Sequence, residues 1–314
     1  MKSIELIQNS KNTLRQGSKS FSLASRVFSK ELREDIAHLY SWCRWCDDVA
    51  DGSTLGFHQN PIGLPKNRIE ILLQKSQQAV SGNFDGLELP FIAFGKVMRK
   101  YDVPWLYAED LLKGMQHDVD GPTFETLEDL LLYCYRVAGT VGLIMCHIMR
   151  LKSSLALEKA VHLGIALQLT NIVRDIGDDF RVSKVYLPQN WLSEFKISSN
   201  DLLNSHSSLQ LESLSKKLLQ EADNYYRSGL TGLKDLPWRC ALAVAIAASV
   251  YRTIGIRVLD QGRLSWDSCG RTRLGRWDQL QACCVGVGLF LKTIPSRIFD
   301  SRPFPPIDQI WRYS

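Results

Sequence analysis

Apolar residues recur at steps of three and four through most of the chain: 35–51, 66–80, 91–101, 105–118, 125–150, 155–180, 209–232, 239–260 and 277–299. That period is the signature of helices with one buried face. No strict apolar–polar alternation lasts long enough to predict a strand. Breakers separate the helical stretches. Gly52 to Pro65 holds three glycines and two prolines, Ser81 to Pro90 is similar, and Asp120-Gly121-Pro122 is a turn followed by a helix start at Thr126-x-x-Asp129. The longest irregular region runs from about Val182 to Ser208 and contains Tyr186-Leu187-Pro188. Loops of that length are often lids or binding loops. From Pro295 onward, Pro303, Pro305 and Pro306 predict an extended or disordered tail. No change of composition and no internal repeat marks a boundary. The expectation is one all-α domain over residues 1–294, followed by the Pro-rich tail 295–314.

Two of the predicted helices carry rows of acids. Asp47, Asp48 and Asp51 close the stretch Tyr40 to Asp51, and Asn171, Asp175, Asp178 and Asp179 lie in Gln168 to Asp179. Residues four apart share a helix face, so Asp47 and Asp51 point the same way. Asn171, Asp175 and Asp179 form a longer row that drifts by about 80° over roughly 12 Å. Carboxylates stacked in this way repel unless positive charge lies between them. Hard oxygen ligands on two rigid helices suit Mg²⁺, which prefers carboxylates, waters and substrate phosphates to an all-protein cage. A single Asp-x-x-x-Asp is usually a solvated face. Here Arg44 and Arg174 accompany the acids, and Leu39, Tyr40, Trp42 and Trp45 on one helix and Ile165, Leu167, Leu169, Ile172 and Val173 on the other surround them. That setting predicts buried helices with acids turned toward a cavity, where a metal-bridged phosphate or diphosphate would sit.

Composition narrows the partners. The chain has 314 residues, 45% apolar and 23% charged, with a net charge of +5. The most basic stretch, from Arg252 to Arg276, is interrupted by Asp260 and Asp267. It lacks the dense basic and aromatic interleaving of a strand-binding groove, which argues against nucleic acid. A mildly basic face toward anionic lipid is compatible with it. Eight cysteines form no disulfide framework, and Cys43-x-x-Cys46 has no second pair at ligand spacing. A reducing compartment follows, without zinc. Residues 1–20 are polar and lack the apolar core of a signal peptide, and the longest apolar run, Ala241 to Val250, is short of a membrane span. A cytoplasmic protein, peripheral to a membrane at most, is expected.

Other elements leave two readings open. Ser18-Lys19-Ser20-Phe21 could cap a helix or hold diphosphate oxygens at its N-terminus. In Tyr133 to Gly142, Gly139 and Gly142 each cost a helix about 1 kcal/mol relative to alanine. Together with Gly164, Ala166 and Gly177 they imply either tight helix packing or a channel wall with room for a long apolar chain. The six histidines are scattered and none has metal spacing with another. No dinucleotide fingerprint, P-loop or nucleophile elbow occurs, so no nucleotide cofactor is expected.

Taken in order, Ser18-Lys19-Ser20-Phe21, Tyr40 to Asp51, Tyr133 to Gly142, Gln168 to Asp179 with Tyr186-Leu187-Pro188, and Val250-Tyr251-Arg252 resemble the squalene and phytoene synthase family. The resemblance covers about Gly17 to Leu259 and is weak in the last fifty or so residues. It implies an all-α, single-domain class I isoprenoid synthase bundle around a central cavity. It also implies head-to-head condensation of two geranylgeranyl diphosphates, through a cyclopropylcarbinyl diphosphate, to 15-cis-phytoene in carotenoid biosynthesis. Small residues at Ala24, Ser25 and Ala37 leave room for C20 chains.

By the same resemblance, Asp47, Asp51, Asn171, Asp175 and Asp179 hold Mg²⁺ or Mn²⁺. Tyr40, Arg44 and Arg174 act at the reacting centre, and Ser18, Ser20, Phe21, Tyr133, Val137, Gln168 and Tyr251 bind substrate. Isoprenoid diphosphates are the implied partners, with peripheral contacts to a membrane or to carotenoid-pathway enzymes. Many members read Arg-x-Tyr-x-Pro after the second acid row; here it is Lys184-Val185-Tyr186-Leu187-Pro188. Two alternatives stay open: synthesis of squalene or diapophytoene from farnesyl diphosphate, and a non-catalytic assembly protein on the same fold.

Overall fold

The computed structural model describes residues 2–17, 25–54, 57–58, 67–203, 208–267 and 271–294. Ser18, Ser20, Phe21 and Ala24 lie outside them, as does the tail 295–314.

Helix α1 (Lys2–Gly17) buries Leu6, Ser10 and Leu14, a stripe four residues apart, against α2. The stripe is too narrow to lift a mostly polar segment out of the background, and the periodicity of the sequence misses this helix. Helix α2 (Lys30–Asp51) starts where the Ser29 hydroxyl accepts from the Leu32 N–H. It ends at Gly52, whose φ of 64° is left-handed and favours a residue without Cβ. Its Trp42 is fully buried, stacks on Phe94 of α4 (Leu89–Lys100) at 3.8 Å and donates to Ser76 of α3 (Arg68–Ser81). One aromatic side chain thus fixes three helices together. The breaker region after Gly52 contains a two-residue antiparallel ladder, Ser53–Thr54 with Phe57–His58.

Helix α5 (Trp105–Asp120) precedes α6 (Leu127–Cys134), which opens on a capping box made by Thr126 and Asp129. The helix then passes through one π turn, Tyr135–Gly139, into α7 (Thr140–Ile148). Single π turns are rare and frequent near functional sites. Helix α8 (Ser154–Arg181) is the 28-residue axis of the bundle, about 42 Å long. Around it pack α6–α7, α10 (Ser208–Leu230), α11 (Trp238–Gln261) and the short α12 (Leu264–Asp267). The irregular region before α10 includes one short helix, α9 (Gln189–Glu194), and α13 (Arg276–Lys292) lies on α11. One continuous cluster of buried apolar residues runs from Phe28 to Leu289.

The glycines of the 133–177 region are used for close backbone approach. A Cβ on Gly164 would lie 2.6 Å from the Ala138 carbonyl oxygen and 2.9 Å from Gly139 Cα; one on Gly142 would lie 2.6 Å from the Ala160 carbonyl oxygen. Tight packing therefore accounts for Gly142 and Gly164. Two polar ties complete the frame. Arg252 of α11 forms a buried two-pronged pair with Asp223 of α10, and the Tyr226 and Thr170 hydroxyls join α10 to α8.

Leu127–Ile148 and Trp238–Gln261 are long and apolar enough to cross a membrane by length and composition, which uninterrupted apolar runs do not show. In this fold both pack into the bundle, with 44% and 50% of their apolar windows buried.

Helix propensity alone says that Gly164→Ala stabilises by about 1 kcal/mol. The backbone contact reverses the sign: a loss of about 1–3 kcal/mol is expected, measured by denaturant unfolding. A gain in stability would show that the π turn and α8 are not in backbone contact at Gly164.

Candidate active site

Helices α2 and α8 turn their acid rows toward the same space, and the end of α5 supplies a third wall. On α2, Arg44 reaches Asp48 at 2.6 Å and Asp47 at 3.1 Å. On α8, the Arg174 guanidinium grips both oxygens of Asp175, at 2.7 and 2.6 Å. The turn after α8 brings Lys184 across to Asp51, with Nζ 2.8 Å from Oδ1. At the end of α5, Asp118 accepts hydrogen bonds from Tyr133 (3.0 Å) and Tyr186 (2.8 Å). Arg271, between α12 and α13, lies 3.4 Å from Asp175 and 4.0 Å from Asp178.

The electrostatics describe one crowded pocket. Burial pushes the Asp47 carboxyl up to about 7, Asp51 and Asp118 add to the rise, and Arg44 opposes it. Yet 44% of the Asp47 side-chain surface is open. Both hold for a group on a concave wall, ringed by protein but touching solvent, where water screens part of its interaction with its neighbours. Burial and then Asp175 raise Asp179 to about 8, against Arg271 and Lys184. Burial raises Asp118 to about 6, against Lys184 and its two tyrosine hydrogen bonds. Burial disfavours the Lys184 ammonium, but Asp51, Asp118 and Asp179 together hold its pKa above the ordinary value.

Aromatic residues line the same region. Burial raises the Tyr40 hydroxyl to about 12, against the pull of Arg44, and Tyr251 is close enough to add to it. Tyr251 also bears on Arg174, which places it between the two acid helices. Burial and Asp118 hold Tyr133 and Tyr186 well above the ordinary phenol range. Helix α1 ends against Tyr40: a Cβ on Gly17 would sit 2.4 Å from its hydroxyl. A small cleft opens beside the acids, lined by Ile172, Ile176, Asp179, Lys184, Tyr186 and Leu202.

Among the described residues, no three carboxylate, imidazole or thiol groups converge into a ready-made cation cage. An ion such as Mg²⁺ takes one or two carboxylates and fills the rest of its shell with waters and substrate phosphate oxygens. Asn171 supplies a fit to such an ion. Its Nδ2 donates to Gln168 at 3.3 Å, while its buried Oδ1 has no hydrogen-bond partner. A buried carbonyl oxygen left unmatched is costly, and a hard cation would satisfy it.

The structure thus brings together Tyr40, Arg44, Asp47, Asp51, Tyr133, Asn171, Arg174, Asp175, Asp179 and Tyr251, with Gln168 bonded to Asn171. Val137 is one turn beyond Tyr133 and packs on Gly114 of α5, the helix that carries Asp118. Burial pushes the Cys43 thiol up to about 12 and Cys46 well above its usual range, which keeps both protonated. Among the described histidines, His38 bonds Ser10, His162 bonds Ser228, and His117 lies tilted against Phe124 and Tyr133. Sequence reasoning missed Asp118 and Arg271. Asp118 shares the last turn of α5 with Asp120; acids there oppose the helix dipole, but nothing local sets Asp118 apart from its neighbour.

A carboxyl whose folded pKa is above its unfolded value of 3.8 holds its proton better in the native state. It contributes stability at low pH and loses it as pH rises through the folded pKa. Above about pH 7 histidines are mostly neutral, and the larger proton release from Asp47 and Asp179 sets the sign. In chelator, the melting temperature is expected to fall from pH 7 to about 8.5, and less steeply for Asp179→Asn. A flat or rising curve in the parent would contradict the crowding described.

The chain is similar to known proteins over most of its length. A family model described as squalene/phytoene synthase matches residues 14–278. The 15-cis-phytoene synthase of Pantoea ananas is 40% identical over 269 residues, covering 85% of this chain and 87% of that protein. The 15-cis-phytoene synthase of a Paracoccus species is 36% identical over 295 residues, covering 91% and 95%. Among solved structures, a dehydrosqualene synthase in complex with ligand shares the fold with a TM-score of 0.79 at 24% identity, covering 92% of this chain and 97% of that one. A squalene synthase from Alicyclobacillus acidocaldarius does so with a TM-score of 0.71 at 20% identity, covering 82% and 96%.

Proposed function

The chain belongs to the squalene/phytoene synthase family, and from that premise we propose that it joins two geranylgeranyl diphosphates head to head to give 15-cis-phytoene in carotenoid biosynthesis. It is a prenyltransferase of class I isoprenoid synthase fold, built on isoprenoid diphosphate substrates. Residues 1–294 are read as one catalytic domain. The observation that carries the reading is the meeting of both acid rows with Arg44, Arg174, Arg271 and Lys184 in one concave, aromatic-lined site.

Asp47, Asp51, Asn171, Asp175 and Asp179 would hold the divalent cation, Mg²⁺ in the first instance. When bound, it neutralises diphosphate charge and so eases departure of the leaving group. The chain's own residues do the rest. In the first half-reaction the allylic C–O bond breaks, and diphosphate leaves with the electron pair. The guanidinium groups of Arg44, Arg174 and Arg271 suit its oxygens because the fork donates in two directions. Lys184 adds a point charge on the α8 side. Ser18, Ser20 and Phe21, outside the described residues, are assigned to the same diphosphate site by the resemblance of their motif alone.

The allylic carbocation left behind must meet no water and no nucleophile. Tyr40 and Tyr133 stay neutral phenols because burial holds their pKa high. Their rings, with Tyr251, can therefore face a cation without offering a phenoxide to it. Asp118 fixes Tyr133 and Tyr186 by accepting from both hydroxyls. Gln168 orients Asn171, and Val137 lines the apolar side.

Purified protein given geranylgeranyl diphosphate and Mg²⁺ is expected to yield phytoene and diphosphate, identified by mass spectrometry, with farnesyl diphosphate a poorer substrate. Asp47→Ala and Asp175→Ala are each expected to lower kcat by about 10²-fold or more, and chelator to abolish turnover. Parental rates in both variants, or activity untouched by chelator, would sink this reading.

A further inference from the structure

Helix α13 differs from the other helices in being apolar on both faces. Ala282, Gly286 and Leu289 are buried, and a Cβ on Gly286 would lie 2.6 Å from Ile246 Cα of α11. That face is fully used by the bundle. On the other side stand Trp277, Leu280, Cys284, Val287, Leu291 and, just past the helix end, Ile294. The exposures of the five largest are 78%, 54%, 39%, 52% and 36% in chain order, and Cys284 is also exposed. Their spacing of three, four, three, four and three residues puts all six on one face. The row is about 25 Å long. Single exposed apolar residues are ordinary, but a contiguous row of this length marks an interaction surface.

The charges around the row indicate its partner. Helix α13 carries Arg276, Asp278 and Lys292, with no charged residue between the last two. Its one acid, Asp278, is ion-paired to Arg257 of α11. Arg273, exposed just before the helix, joins Arg276 at the N-terminal end. Gly286 faces Ile246 and Asp278 faces Arg257, so α11 and α13 run antiparallel and the start of α11 lies at the C-terminal end of the row. There Trp238 is 56% exposed, with the Arg239 guanidinium over its ring at 5.1 Å. Tryptophan and cation therefore occur at both ends, and no free acid lies on the helix.

We propose that α13 is a membrane-docking helix, laying this apolar row into the headgroup–acyl boundary of an anionic lipid bilayer while the flanking cations meet the headgroups. An interfacial helix of this kind binds through buried apolar area plus attraction to anionic lipid. Charge disfavours a second copy of the chain. Parallel pairing of α13 with itself sets Arg276 on Arg276, antiparallel pairing sets Arg276 on Lys292, and Asp278 is already engaged.

The test is flotation of the full-length protein with vesicles of equimolar phosphatidylglycerol and phosphatidylcholine, and with phosphatidylcholine alone, at about 0.1 M salt. The parent is expected to float with the anionic vesicles and to release as salt rises. Combined Trp277→Ser, Leu280→Ser and Leu291→Ser replacement is expected to lower partitioning at least about tenfold. Arg273→Glu with Arg276→Glu is expected to remove the preference for anionic lipid. All the replaced side chains are exposed and outside the acid site, so melting temperature and diphosphate release in detergent stay at parental values. These two readouts separate failure of docking from failure of the catalytic reading. Absence of parental flotation, equal flotation of the triple variant, or equal binding to both vesicle types overturns the proposal. So does a parental dimer, seen by sedimentation velocity, that the triple variant converts to monomer, which would assign the face to a second copy.

Discussion

Like charges held close in a half-dry site are the constraint that the rest of this structure serves. Asp51 and Asp118 push up the pKa of Asp47, Asp51 pushes up that of Asp118, and Asp175 and Asp118 push up that of Asp179, across a space bounded by three helices. Left to themselves they would splay toward water or stay protonated. The chain keeps them together by threading cations among them: Arg44 beside Asp47, Lys184 on Asp51, and Arg174 and Arg271 on Asp175. The compensation is incomplete, as the raised carboxyls and the unmatched Asn171 oxygen show. A site in this condition is suited to a ligand that brings further positive charge with it, which a diphosphate escorted by divalent cations does.

Holding acids against their repulsion requires stiff supports, and the packing around α8 supplies them. Gly177 lies between Asp175 and Asp179, and a Cβ there would come within 2.2 Å of the Trp266 carbonyl oxygen. Trp266 donates its ring N–H to the Val173 carbonyl, and its own carbonyl accepts from Arg181. Helix α12 thus clasps the turns of α8 that carry the acids, from behind. On the opposite wall, buried Trp42 anchors α2 between the Tyr40 and Asp47 turns through Phe94 and Ser76. Farther along α8, Gly164 sits on the 138–139 backbone and Thr170 bonds Tyr226. The acid rows can approach only because the helices beneath them cannot rotate away.

Much of this was legible in the sequence because it depends on local period. The nine predicted helical stretches correspond to observed helices within a few residues, apart from the α2 start five residues earlier, the π turn inside 125–150, and the end of 277–299, where the helix closes at Lys292 and residues 295–299 lie outside the described ones. The Thr126–Asp129 start is a complete capping box. The paired acid rows were legible for the same reason, since i, i+4 spacing is a statement about one helix. What depended on distant parts of the chain was hidden. Asp118 is one acid at the end of one helix, and only its two tyrosine partners from 133 and 186 give it meaning. Arg271 sits in a basic stretch whose members look alike until the fold sets it against Asp175. Helix α1 was missed because the stripe Leu6, Ser10 and Leu14 barely modulates a polar segment.

The cations of the site also differ in how firmly they are held. Arg174 grips Asp175 with two parallel bonds, the same fork that locks Arg252 to Asp223 in the core. Lys184 makes one bond to Asp51 and otherwise acts at a distance on Asp118 and Asp179. A guanidinium at that position would favour one carboxylate with a planar fork; an ammonium is a compact charge with no preferred direction. Spread among several acids, such a charge moderates the whole cluster while committing to no single member. The departure from Arg to Lys in Lys184-Val185-Tyr186-Leu187-Pro188 therefore preserves the electrostatic service and gives up the geometric one. Geometry at that turn is supplied instead by Tyr186, whose hydroxyl is fixed on Asp118.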